Sequence, residues 1–239
     1  MTLPSISSLL FLFLLSCIGW SQSNQSLDFI GSIDYGYRAL RTPDTDESFS
    51  QLVKNRDSYE IGKVNWRVGF NFNQRLGSKL FFKTGLRLAN GGYGTKELTT
   101  ATTTLPNASL PNKYKINYNY WFAEIPLALR FEINQKKFSP FIEAGVAPSV
   151  YLVNRNRIFR NGEASTEFVD QEAIYGFNRL HWVGTLSFGA NYNLNEKFQF
   201  FGQPTFRYHF TKVADAPIRE YHYNFGLELG VRKRFSYKG

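Results

Sequence analysis

Beyond residue 26 polar and apolar residues alternate with a period of two, the pattern of strands whose two faces meet different surroundings. Residues 119–133 show it most clearly. Trp121, Ala123, Ile125, Leu127, Leu129, Phe131 and Ile133 share one face, and Glu124, Pro126, Arg130 and Glu132 lie on the other. No helical period fits that arrangement. Comparable segments run over about 27–40, where Phe29, Ile33, Tyr35 and Tyr37 oppose Asp28, Asp34 and Arg38, and over 63–73 and 80–89. The later ones cover 138–152, 179–192, 198–210 and 222–235, which predicts eight strands in all.

Connection lengths alternate as regularly as the residues do. Segments 74–79, 133–137 and 193–197 are short and rich in Asn, Gln, Gly and Lys, as hairpin turns require. Segments 41–62, 90–118, 153–178 and 211–221 are long. Strict alternation collects every short turn at one end of a closed barrel and every long loop at the other, the layout of outer-membrane barrels. The expected fold class is therefore all-β, an eight-stranded antiparallel up-and-down transmembrane barrel with short periplasmic turns and long extracellular loops.

A soluble lipocalin-type barrel also alternates, so the faces must decide. The apolar faces are nearly free of charge and carry Trp, Phe, Tyr, Leu and Val, while the polar faces mix Gly, Asn, Ser and Thr with few ions. A polar face that thin suits a packed interior. Trp121 and Trp182 fall at the long-loop ends of strands and Phe198 and Phe235 at the turn end, as in interfacial aromatic girdles. Three prolines inside strands, Pro126, Pro148 and Pro204, each remove a ladder donor and predict bulges or local irregularity.

The N-terminus reads as a targeting signal. Leu9 to Leu15 form an apolar core too short to span a bilayer, and Gly19-Trp20-Ser21 offers a small-x-small cleavage pattern. The expected organisation is a signal peptide over 1–21, a lead over 22–26 and one barrel domain over 27–239, exported to the outer membrane. A rival route is open: Leu14-Leu15-Ser16-Cys17 resembles a lipobox, in which Cys17 would be lipidated. That single Cys excludes a disulfide scaffold and any Cys-built metal centre.

The segment Pro140-Phe141-Ile142-Glu143-Ala144-Gly145 and the closing Phe225-Gly226-Leu227-Glu228-Leu229-Gly230-Val231, with the signal and the eight strands, resemble the PorT-like outer-membrane β-barrel proteins of Bacteroidetes. The likeness covers essentially the whole mature chain. It implies a small barrel, in a family that includes members implicated in protein secretion.

Eight strands enclose a space that side chains can fill, so inward ions should pair with each other. Glu124, Glu143 and Glu228 face inward with Arg67, Lys83, Arg87, Arg130, Arg207 and Arg232, and a salt-bridged plug is the expectation, against a gated ion path. His181, His209 and His222 also project inward at the long-loop ends of the last three strands, where they are either weak metal candidates or polar caps of the interior. A lipid-A-modifying enzyme would need an adjacent nucleophile and base. His181 and Ser187 lie six residues apart, about 20 Å along a strand, and no Ser-His pair at i, i+2 lies on an outward face.

The net charge of +9 survives signal removal, since residues 1–21 contain neither acids nor bases. Arg155, Arg157 and Arg160 in the third long loop are candidates for lipopolysaccharide phosphates, opposed by Glu163, Glu167, Asp170 and Glu172, which would instead balance a solvated loop. Thr99, Thr100, Thr102, Thr103 and Thr104 read as a mobile surface segment, and Asn107-Ala108-Ser109 matches a glycosylation pattern of little meaning in a bacterium. Taken together these features predict a monomeric, non-enzymatic barrel without cofactor, in contact with outer-membrane lipid and lipopolysaccharide, with a protein partner at its extracellular loops and no nucleic acid. A narrow porin-like channel and a lipid-A-modifying enzyme are the alternatives.

Overall fold

The computed structural model describes residues 25–42, 47–100, 112–168 and 176–235. The expected signal peptide, Cys17, Thr102 to Thr104, Asn107 to Ser109, Asp170 and Glu172 fall outside them. Fifteen elements follow in order: β1 (Gln25–Arg41), α1 (Glu47–Tyr59), β2 (Glu60–Ile61), β3 (Lys63–Arg75), β4 (Leu80–Gly91), β5 (Gly94–Thr95), β6 (Leu98–Thr100), β7 (Asn112–Asn117), β8 (Tyr120–Glu124), β9 (Leu127–Glu132), β10 (Phe138–Arg160), β11 (Glu163–Phe168), β12 (Leu180–Asn193), β13 (Phe198–His209) and β14 (Arg219–Phe235).

Eight spans form a closed antiparallel ring. Neighbours in sequence pair in turn from β1 through β3, β4, the split span β8/β9, β10, β12 and β13 to β14. β14 then pairs with β1 along its whole length, Gln25 opposite Phe235 and Arg41 opposite Arg219, so no edge is left open. Side-chain parity follows the sequence pattern: alternate positions are buried in the lumen, and Phe29, Ile33, Leu186, Phe188, Phe225 and Leu229 stand exposed outside. Leu227 and Leu229 lie midway up that outer apolar belt.

The prolines act differently from one another. Pro126 breaks one span into β8 and β9, and the free Ile125 N–H donates to the Pro148 carbonyl of the neighbouring strand at 3.0 Å. Pro148 keeps its place opposite Trp182, and Pro204 lies where the β12–β13 ladder is interrupted, its register unchanged, between Ser187↔Thr205 and Ala190↔Gly202. A register shift between Tyr151 and Val153 flips the parity of β10, which turns Asn154 and Asn156 inward and Arg155 and Arg157 outward.

The long connections carry more structure than their sequences announce. β10 runs on beyond the belt to Arg160 and pairs with β7 on one side and β11 on the other, while β6, β5 and β2 extend this outer sheet. Thr99 belongs to β6, and the helix α1 occupies most of the first long connection, which reads as loop in the sequence.

Candidate functional site

The lumen holds the chemistry. Six buried acids, Asp28, Asp34, Glu124, Glu132, Glu143 and Glu228, face six buried bases, Arg67, Lys83, Arg87, Arg130, Arg207 and Arg232, so the spanned interior is formally neutral. Period-two alternation puts all twelve on inward positions, and the barrel closes them together. Carboxylates and guanidinium groups this deep persist only when paired and hydrogen-bonded.

The pairs join into one large web and a smaller cluster near the turn end. Arg67 bonds Asp34 and reaches Glu124 at 3.3 Å. Arg207 bridges Asp34 at 2.8 Å and Glu228 at 2.6 Å, and Arg87 approaches Glu228 at 3.3 Å. Glu143 takes Lys83 on one oxygen and the Arg130 Nε on the other at 2.8 Å, with Arg130 directly opposite it in register. Gln203 couples the two halves: it accepts from Arg130 at 3.3 Å and donates to Glu228 at 2.9 Å. Near the turn end Arg232 grips both oxygens of Asp28, at 2.7 and 3.0 Å, and lies 3.6 Å from Glu132. Gly226 gives Asp34 its room, since a Cβ there would collide with the Asp34 Oδ1 and the Ile33 carbonyl.

Arg67, Lys83, Arg87, Arg130, Arg207, Glu124, Glu143 and Glu228 lie in the web, and Arg232 lies in the smaller cluster. Asp34 completes the web and Asp28 and Glu132 the cluster; their parity placed them inward, but only closure of the ring gave them partners. Arg130 also lies over the faces of Phe141 and Phe201, 4.0 and 5.1 Å from their centroids, an apolar seat for a delocalised cation.

Toward the long-loop end the ions give way to rings. His181, His209 and His222 form a buried row of edge-on rings, with centroids 5.8 Å apart for the first pair and 5.7 Å for the second. Phe122 meets His181 and His209 edge-on or tilted at 5.3 and 5.6 Å, and Tyr120 lies 5.1 Å from His222. The imidazoles thus present edges and faces to aromatic carbon, and among the described residues no three His, Cys, Asp or Glu side chains are arranged to hold a metal ion. His222 Nε2 pairs with the Glu220 carboxylate at 2.9 Å.

Beyond the histidines an ion cluster ties down α1, and sequence reasoning missed it. Arg56 of the helix bonds Glu60 at 2.7 Å and Glu220 at 2.9 Å, and Arg38 of β1 bonds Glu60 at 2.6 Å and Asp57. Burial alone would make the Arg56 guanidinium easier to deprotonate, but the two carboxylates outweigh it and raise its pKa. Burial pushes the nearby Tyr118 phenol up to about 12. Glu47 in the first turn and Arg56 in the last match the helix dipole and were the available signal. Ser187 and His181 are both buried in the lumen wall. Arg155 lies 5.9 Å over the ring of Trp121, which meets Trp66 edge-on.

Residues 32–235 match the family described as outer membrane protein beta-barrel domain. Among solved structures, Neisserial surface protein A is 11% identical over 89% of this chain and 98% of that one, with a TM-score of 0.45. OprG from Pseudomonas aeruginosa is 12% identical over 90% and 98%, with a TM-score of 0.42. The outer membrane protease OmpT from Escherichia coli is 9% identical over 90% and 98%, with a TM-score of 0.47. Comparison with curated proteins finds no match.

Proposed function

Because the chain belongs to the outer membrane protein beta-barrel domain family and resides in the outer membrane, we propose that it is a non-enzymatic barrel that acts through its extracellular surface. The observation that carries this reading is the lumen, where six acids and six bases neutralise one another across the bore and leave no array of like charge to conduct ions. With the interior committed to holding the barrel together, recognition falls to the outer sheet of β10, β7 and β11 and to α1, pinned over the mouth by Arg56 and Arg38. His181 and Ser187 support no catalytic pair, since the strand separates them and both face the lumen.

The finer placement among PorT-like proteins of Bacteroidetes rests on the segments Pro140 to Gly145 and Phe225 to Val231, and a role as an envelope or secretion accessory goes with it. Outward Arg155 and Arg157, just above the Trp121 and Trp66 girdle, suit lipopolysaccharide phosphates, and the closed ring suits a monomer. Crosslinking and pull-down from detergent-solubilised outer membrane tests the reading. A partner should be captured by the native chain and lost when the hairpin 157–166 is replaced by a short turn, with the barrel still heat-modifiable on a gel. Capture that survives the replacement together with deletion of α1, or hydrolysis of lipid or peptide by the purified barrel, would overturn it.

A further inference from the structure

The excess positive charge is concentrated at one end. Bases and acids cancel in the lumen, and the long-loop segments 38–63, 96–115, 155–179 and 212–220 hold fourteen bases against twelve acids. At the short-turn end Lys79, Lys136, Lys137 and Lys197 sit on the turns, Lys233 stands outward on β14, and Arg75 and Arg234 edge the mouth. Glu196 is the one acid beside these seven bases, so this collar carries +6 of the formal +9. None of the seven forms an ion pair among the described residues: Arg75 donates to the Gly77 and Ser78 carbonyls, and Arg234 to the Asn193 side chain at 2.7 Å.

The collar surrounds a recess. A cavity of about 310 Å³ opens inside the turn end, edged by Arg75, Arg234, Gln135 and Phe81; its two carboxylates are Glu196 at the rim and Glu132, which lies 3.6 Å from Arg232. Lys137 and Lys233 lie over the outward rings of Tyr192 and Phe235, at 5.4 and 6.0 Å, where lipid headgroups reach. The other five cations are on turns or at the rim of the recess. Screening confines such charges to about 8 Å at physiological salt, so their partner must come into contact.

We propose that the periplasmic mouth is a docking site for an acidic polypeptide segment of a periplasmic protein, which lies across the turns with its carboxylates on the collar and one side chain in the recess. This goes beyond the reading of the extracellular surface and is independent of it. Lipopolysaccharide contact at Arg155 and Arg157 draws on an end whose charge is nearly balanced. The collar has almost no counter-charge of its own.

The test uses the full mature barrel in phosphatidylcholine nanodiscs and a fluorescent ten-residue oligoglutamate peptide, followed by anisotropy at increasing salt. The native barrel should bind with an affinity that falls steeply with salt. Lys79→Glu/Lys136→Glu/Lys197→Glu should weaken it at least tenfold, whereas Arg41→Glu/Lys212→Glu/Arg219→Glu, an equal charge change at the other end, should leave it within twofold. The triple Lys→Gln variant repeats the experiment with a smaller perturbation, and heat-modifiable migration confirms that each variant is folded. Equal weakening by the two triple Glu variants would reduce the effect to bulk charge and overturn the proposal. So would absence of peptide binding, including the case where the collar variants alter only retention by phosphatidylglycerol nanodiscs, which would assign the collar to lipid.

Discussion

Glu143 holds two cations at once, and its removal gives the sharpest energetic prediction. Glu143→Gln keeps the volume and deletes the charge, leaving Lys83 and Arg130 buried with one carboxylate fewer. Breaking a buried pair from one side costs about 3–5 kcal/mol, and that loss is expected here. The two partners are stranded unequally. Arg130 keeps Gln203 at 3.3 Å and the ring faces of Phe141 and Phe201, while the ion pair with Glu143 is the only one Lys83 makes among the described residues. Lys83→Met should therefore rescue Glu143→Gln better than Arg130→Met does. We expect a coupling of about 2 kcal/mol or more for the lysine cycle, in the upper part of the ~0.5–3 kcal/mol range for contacting pairs, and about 1 kcal/mol for the arginine cycle. Urea unfolding in zwitterionic vesicles, read by tryptophan fluorescence and checked by gel migration, measures both. Glu143→Gln within about 1 kcal/mol of wild type, or additive double variants, would refute the shared-carboxylate account.

Leu227→Arg, midway up the outer belt, should destabilise the inserted barrel by about 2–4 kcal/mol, while Thr205→Ser in the lumen should cost about 1 kcal/mol or less; equal losses would mean the faces are inverted. Gly226→Ala should cost about 1–3 kcal/mol by crowding the β1 backbone at Ile33 and pushing Asp34 off Arg67 and Arg207, visible as a lower urea midpoint, and an unchanged midpoint would show that strand and web have slack there. Arg56→Ala removes the helix from Glu60 and Glu220, so limited proteolysis should cut within 47–59 at much lower protease doses while the barrel midpoint stays put. Unchanged cleavage would mean that Arg38 alone suffices to hold the lid.

The strands and their faces were legible because a barrel wall imposes a period of two on every span and lipid keeps charge off the outer face. Phe29 and Asp28, or Leu229 and Glu228, disclose inside and outside by adjacency alone. Pair identities were not legible, with one exception: Glu143 and Arg130 lie near one hairpin turn, where register can be counted. Arg207 meets Asp34 across 173 residues, and only the stagger of the closed ring fixes that. The bulge at Tyr151 and Val153 also escaped notice, since Leu152 and Val153 are both apolar and conceal the slip in parity. Beyond the belt the lipid no longer enforces alternation. The outer part of β10 and the helix α1, with no buried residue of its own, read as loop.

Planar-bilayer recording on the purified wild-type barrel addresses the central claim, a lumen closed by its own ion pairs, most directly. The account predicts a flat current at both polarities, with conductance steps emerging only after Glu143 or Arg207 is neutralised. Stable wild-type conductance, whose ion selectivity changes with Glu143→Gln or Arg130→Met while the barrel stays folded, would contradict it and establish a channel.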